Sequence, residues 1–306
     1  MTWIFITILA YFLFSVVFLV DKYLLTSSIP NPKVYVFYVG ALGTLAILLV
    51  PFTGFYFPEN KEILLGILSG FSFICGLFWF FKGLSIYEAS RVAPAVGGLI
   101  PLFIFILIFI ASKGQATLSL PHTLAFLLLV SGSIVIISER NKFINLKSLK
   151  ISALSAFLLS LSFVFLKYLF LAAPFWTGFI LKSLGGTLAA LCFFIIFPEI
   201  KEVILKPKEK SSKKTGVIFL ANQSVGAGAS ILQNWAVSLA PLAYIAFINA
   251  LQGIQYVFLL IFAAFFSFKF PRLLKEEISK AVIIQKIAAI LLIGAGLALL
   301  AIKQNV

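Results

Sequence analysis

Apolar runs of about twenty residues follow one another along the whole chain, divided by short polar stretches that carry turn residues. Ten such runs lie at approximately 3–25, 34–53, 62–82, 91–111, 121–138, 150–171, 175–197, 215–238, 242–267 and 281–302. Each has roughly the twenty residues that a helix needs to cross bilayer hydrocarbon. Helices are required there, because open strands would leave backbone groups unpaired in lipid. The dividing stretches hold Pro30-Asn31-Pro32, Pro58-Glu59-Asn60, Pro121, Pro174, Pro198 and Pro241. The longest, PEIKEVILKPKEKSSKKT from Pro198 to Thr215, predicts a solvated loop with a short surface helix. The opening MTWIFITILA lacks a basic region and a small-residue cleavage site, so it predicts a first retained helix. The expected fold is an all-α membrane protein of ten transmembrane helices.

The runs are not independent of one another. FLFSVVFLVDKYL, Phe12 to Leu24, and FLLSLSFVFLKYL, Phe157 to Leu169, share seven of thirteen positions without a gap, 145 residues apart. Gly43-Thr44-Leu45-Ala46 in run 2 returns as Gly186-Thr187-Leu188-Ala189 in run 7. Weaker echoes pair Leu99-Ile100-Pro101 with Leu251-Gln252-Gly253, and Gly132 with Gly296. Matches in preserved order point to a tandem duplication, with a first five-helix repeat at 1–140 and a second at 141–306. Five is odd, so the copies would enter the membrane in opposite orientations. That gives an inverted repeat with a cavity between the halves, a build shared by many secondary transporters.

Composition agrees with a membrane protein: 62% of the residues are hydrophobic and 11% charged. The net charge of +14 raises nucleic acid as a partner. The placement of the basic residues argues instead for membrane topology. Nineteen of the 24 Lys and Arg residues fall in or beside the segments after runs 1, 3, 5, 7 and 9. Lys61, Lys113 and Lys303 lie on the other side, and Lys167 and Lys182 sit within apolar runs. By the positive-inside rule this count puts both termini outside the cytoplasm. Cys75 and Cys192 have no neighbours at metal-ligand spacing and read as small hydrophobes.

Two further segments carry a resemblance. GLSIYEASRVAPAVGGLIPLFIFIL, Gly83 to Leu107, and its partner AVSLAPLAYIAFINALQGIQYVF, Ala236 to Phe258, are similar to the drug/metabolite transporter superfamily, in particular the EamA-like permeases. The similarity covers nearly the whole chain through diffuse motifs of small and apolar residues. It implies a secondary transporter of ten helices. Such permeases often carry a Gly-Glu pair after spans 4 and 9, where this chain reads SKGQATLS and FKFPRLLKEEIS. They also commonly keep both termini in the cytoplasm, against the charge count.

Polar groups are costly in hydrocarbon, so their spacing is informative. Asn222, Gly226, Ser230 and Gln233 or Asn234 share one face of run 8. Asn249, Gln252 and Tyr256 share a face of run 9, with Tyr244 and Gln255 beside it. Pro94, Gly97, Gly98 and Pro101 form a small-residue stripe in run 4. Two readings are open for the amides: bonds between helices, or the lining of a substrate path. Lys182, deep in run 7, either snorkels or draws an anion into the cavity. Lys22 and Lys167 are repeat mates beside Tyr23 and Tyr168, read as interfacial anchors or as cations at two mouths. Glu88 and Arg91 have the spacing of a one-turn pair. Trp79 is placed either to stack on a ligand or as an interfacial aromatic.

No Asp or Glu falls in the middle of a run; Asp21 and Glu88 mark helix ends, and His122, the one histidine, falls in a loop. Intramembrane enzymes need a nucleophile with a base, an Asp pair, or a metal set, so none is expected, nor any cofactor or metal. The expected function is alternating-access transport of a small polar metabolite (an amino acid, sugar-like compound or drug) across the cytoplasmic membrane. A lipid-linked-substrate flippase and a membrane subunit of a larger assembly are the alternatives. Spans 3, 4, 8 and 9 should line the path, with the Ser15 and Ser160 faces. Coupling would run through Asp21 or Glu88, or be absent. The implied partners are a small-molecule substrate and the lipid bilayer, with nucleic acid excluded and a homodimer allowed.

Overall fold

The computed structural model describes residues 2–27, 31–54, 57–86, 89–115, 119–137, 146–205, 213–255, 257–258, 261–262, 284–285, 288–289, 291–296 and 299. Every regular element among them is helical. In chain order these are α1 (Thr2–Ser27), α2 (Pro32–Leu42), a 3-10 segment (Gly43–Leu49), α3 (Val50–Thr53), α4 (Asn60–Ile86), α5 (Ala89–Ala111) and α6 (Leu120–Ile137). Then follow α7 (Leu146–Ala172), α8 (Phe175–Ile196), α9 (Pro198–Leu205), α10 (Lys213–Leu239), a 3-10 turn (Leu242–Tyr244) and α11 (Ile245–Ala250). Six stretches are long and apolar enough to cross a membrane: Thr2–Leu25, Pro32–Thr53, Asn60–Ile86, Lys147–Ala172, Phe175–Ile196 and Thr215–Leu239. Shorter apolar helices cover Ala95–Ala111, Leu120–Gly132 and Leu242–Gln255. The protein is therefore an all-α, multi-pass membrane protein. Its outer wall exposes Phe5, Leu48, Phe52, Ile110 and Ile195, apolar surface that suits lipid.

Local chemistry fixes the ends of these helices. Asn31 Oδ1 accepts from the Lys33 amide at 3.0 Å, and Pro32 stands at the first helical position of α2. Beyond α5 the chain turns through Lys113 (φ 51°) and Gly114 (φ 78°), and the Gly114 amide donates to the Phe109 carbonyl. The segment after Pro198 forms the expected short helix, α9, which buries Ile200 beneath its polar face.

Packing is dominated by α4 against α7 and α8, α1 along α10, and α5 against α7. One apolar core gathers Ile104, Leu129, Leu166 and Phe247; a second gathers Leu24, Tyr35, Val36 and Ile200. The second run departs from a uniform helix, because α2 tightens into 3-10 geometry at Gly43. There it lies on α8, where the Thr187 hydroxyl donates to the Gly40 carbonyl at 3.2 Å. A Cβ on Gly43 would stand 2.8 Å from the Ser183 carbonyl oxygen, so only glycine permits this approach.

The seam between α4 and α8 is a close one, built on glycines. A Cβ on Gly185 would meet the Ile67 carbonyl oxygen at 2.5 Å, and one on Gly70 would overlap the α8 backbone. Glycines on both helices let backbone meet backbone, where dispersion is greatest.

Candidate functional site

The polar face predicted for run 8 becomes the contact between α10 and α1. The two helices run antiparallel, so residues ascending one meet residues descending the other. Asn222 Nδ2 donates to Asp21 Oδ1 at 2.6 Å. A Cβ on Gly226 would lie 3.6 Å from Val17, an ordinary contact. Gln233 Nε2 donates to the Tyr11 hydroxyl at 3.2 Å, which in turn donates to the Ile248 carbonyl at 2.9 Å. The α10 amides thus act as links between helices.

The same helices help to line a cavity of ≈ 570 Å³, within the range of small-molecule sites. Its polar lining includes Ser230, Gln233 and Asn234 on α10, Asn249, Gln252 and Gln255 at and beyond α11, and Lys182 on α8. Much of the remainder is aromatic, with Phe14, Phe18, Phe73, Phe80, Phe163 and Phe179 in the wall. Lys182 is buried, at 7% exposure. Its Nζ donates to Asn234 Oδ1 at 2.9 Å, and Asn234 Nδ2 donates to Ser230 Oγ at 3.3 Å. The ammonium lies 4.8 Å from the Phe73 ring centre and 5.9 Å from that of Phe163.

Asp21 also lines the cavity, at a second polar station. It accepts hydrogen bonds from Asn222 and from the Tyr35 hydroxyl, to which Gln223 Nε2 donates at 3.4 Å. Asn222 and Asn234 mark the two stations on α10, twelve residues apart and about 18 Å along a helix axis.

The candidate residues thus separate. Ser230, Gln233, Asn234, Asn249, Gln252 and Lys182 line one hollow. Asn222 stands beside it and holds Asp21. Tyr244 belongs elsewhere: its hydroxyl meets His122 Nε2 at 3.0 Å, and its ring packs on Trp3 and Phe247. Trp79 faces a separate hollow with Lys33, Lys82 and Phe197, and the Lys82 ammonium lies 4.5 Å from its ring centre. Tyr256 and Glu88 fall outside the described residues, as does the side chain of Arg91.

Several expectations shift with this geometry. Asp21 is not at a helix end, because α1 continues to Ser27. His122 lies in the first turn of α6, where its Nδ1 meets Ser119 Oγ at 2.6 Å. The cavity is lined by α2 with its 3-10 continuation, and by α7 and α8, as well as by α4, α5, α10 and the α11 region. On α1 the lining face is Tyr11, Phe14, Phe18 and Asp21; Ser15 turns its hydroxyl back to the Phe12 carbonyl. Ser160 joins α7 to α5 through the Ile100 carbonyl, 3.1 Å away. Lys167 is buried and its Nζ donates to the carbonyls of Val237, Ser238 and Ala240 at 3.1, 3.1 and 2.5 Å. It closes the C-terminal end of α10, where orphan carbonyls and the helix dipole both favour a cation.

Sequence spacing found the amides but underweighted Asp21 and missed Tyr11. A signal for Asp21 was present in the repeat, since the second copy has Leu166 at that place.

No protein-family model and no curated protein matches the chain. A solved structure described as "Crystal structure of protein" matches it with a TM-score of 0.63 at 18% identity, over 96% of this chain and 97% of its own. That likeness extends the fold to nearly the full length of both chains.

Proposed function

We propose that the protein is a secondary transporter that moves a small polar metabolite across the cytoplasmic membrane by alternating access. The single observation that carries this reading is the partly open hollow of ≈ 570 Å³, bearing Lys182, Asn234, Gln233, Gln252 and Asp21 among aromatic walls, within a bundle of apolar helices. Polar groups spread through hydrocarbon are expensive, and a solute path is the economical reason to keep them facing a common space.

The architecture that goes with this function is ten helices in two inverted five-helix repeats, of the EamA-like kind. Residue pairs support it. Gly132 stands against Ile293 and the Ala289 carbonyl, while Gly296 stands against Leu129 and the Ala125 carbonyl. All three pairs of repeat positions, 132 with 296, 129 with 293 and 125 with 289, share one sequence offset, as an isologous contact about a pseudo-two-fold requires. Lys167 sits at the C-terminal end of α10, whereas Asp21, next to Lys22, meets α10 in its N-terminal half.

The seams of the bundle support two states. α4 and α8 are locked through Gly66, Gly70 and Gly185. Their counterparts under the repeat are α10 and α2, which meet through the side chains of Phe219, Tyr35 and Tyr38 instead, with ring centres 5.6 and 5.9 Å apart. One seam closed and its mate loose is what an alternating carrier presents in either end state.

Counterflow in proteoliposomes tests the reading. Purified protein should exchange a labelled solute across the bilayer, and Asn249→Ala or Gln252→Ala should slow the exchange. A protein that binds solutes yet moves none would refute it. One observation favours a second reading, a flippase for a lipid-linked substrate. Leu45 and Leu220 line the cavity and are 57% and 55% exposed, so the hollow reaches the flank of the bundle. Labelled-lipid flipping in the same vesicles, without solute counterflow, would decide for it.

A further inference from the structure

The two buried lysines are spent differently. An ammonium has three donors. Lys167 gives hydrogen bonds to three carbonyls and needs nothing more. Lys182 gives one, to Asn234, and otherwise faces the rings of Phe73 and Phe163. No carboxylate among the described residues pairs with it. A cation left without a counter-charge in a protein interior is costly. Lys182 nevertheless lines the cavity together with both of those rings, so a counter-charge can enter as cargo.

We infer that the occupant is an organic monoanion with an apolar or aromatic body, its charge seated on Lys182. This rests on the transport reading above and narrows the substrate class. The body follows from the wall, where Phe14, Phe18, Phe163 and Phe179 offer ring faces and edges. Asn234 holds the ammonium in place from α10, so the anion site joins α8 to α10. A zwitterionic α-amino acid fits less well. Its charges sit on adjacent carbons, whereas Asp21 lies about 18 Å along α10 from the Lys182 station. Asp21 is also already engaged by Asn222 and Tyr35. A carboxylate on an apolar body can arrive as a soluble aromatic acid or, through the flank beside Leu45, as a fatty acid from the membrane.

Calorimetric titration of the full chain in zwitterionic-lipid nanodiscs tests this with three probes: 3-phenylpropanoate, its neutral amide, and palmitate. Either acid should bind, and 3-phenylpropanoate should bind about tenfold or more tighter than the amide, as expected when a charged hydrogen bond is replaced by a neutral one. Lys182→Gln should abolish the preference for the acid and Lys182→Arg should keep it. Binding of palmitate alone assigns the site to a membrane-borne acid. Measurable and equal binding of 3-phenylpropanoate and its amide, binding of neither acid, or undiminished acid binding by Lys182→Gln overturns the inference. If Lys182→Gln does not fold, the acid-to-amide comparison on the unaltered protein still decides. Acid binding without counterflow sinks the carrier reading and leaves the anion site; counterflow of neutral solutes with no acid binding does the reverse.

Discussion

The hydroxyls of Thr44 and Thr187 lie 3.3 Å apart, across the contact between α2's 3-10 continuation and α8. These are the same residue of the two Gly-Thr-Leu-Ala copies. A residue that touches its own repeat mate sits beside the axis that relates the copies. Glycines on α2 and its 3-10 continuation make the close approach, since a Cβ on Gly40 would stand 3.0 Å from the Gly186 carbonyl oxygen and one on Gly43 2.8 Å from that of Ser183. The proposed two-fold thus passes through a contact of small residues.

Glycines at the seams should differ sharply in their tolerance of a methyl group. A Cβ on Gly70 overlaps the α8 backbone, while one on Gly228 meets nothing within 4 Å. Gly70→Ala is expected to cost about 1–3 kcal/mol by overpacking. Gly228→Ala is expected to be neutral, or stabilising by up to about 1 kcal/mol through helix propensity. Unfolding of the purified variants by heat or denaturant measures both.

Lys167 should prove structural. Lys167→Met leaves the buried Val237 and Ala240 carbonyls without their donor, a loss of about 2 kcal/mol or more. Ligand affinity should be unchanged in whatever fraction folds. A titration in which Lys167→Met weakened binding while keeping stability would reverse the roles assigned to the two lysines.

For the proposed carrier, Asp21 is a carboxylate placed to couple transport to protons among the described residues, because it lines the cavity and bridges α1, α2 and α10 through Tyr35 and Asn222. Asp21→Asn should remove any acceleration of transport by a pH gradient while leaving solute counterflow intact. Gradient-driven uptake that survives the substitution would exclude Asp21 from coupling.

Outside the spans, Glu199 on α9 pairs with Lys33 at 2.5 Å, and this hydrogen bond holds its carboxyl below the ordinary value of 4.5. A lowered value in the folded state means that the pair adds stability above that ordinary value. The contribution fades as pH falls through the lower, folded-state value. Both side chains are partly exposed, at 31% and 46%, so the effect is small and weakened by salt. The melting temperature of the unaltered protein should exceed that of Glu199→Gln at neutral pH, and the gap should shrink in acid.

The sequence alone determined that the chain is helical and membrane-spanning, because the length of an apolar run and the cost of unpaired backbone in lipid leave one solution. It also located the amides of α10 and the α11 region and the matched segments, since helical spacing and identity in register are one-dimensional properties. Tertiary structure decided which polar groups share a space. Asn222 and Asn234 stand on the same predicted face, yet one holds Asp21 and the other Lys182, because the neighbours opposite them come from α1 and α8. Lys167 and Lys182 look alike in the sequence, as single cations in apolar runs. Only the packing, which gives one of them three carbonyls and the other a single amide beside a cavity, tells a helix cap from a cation that faces a hollow.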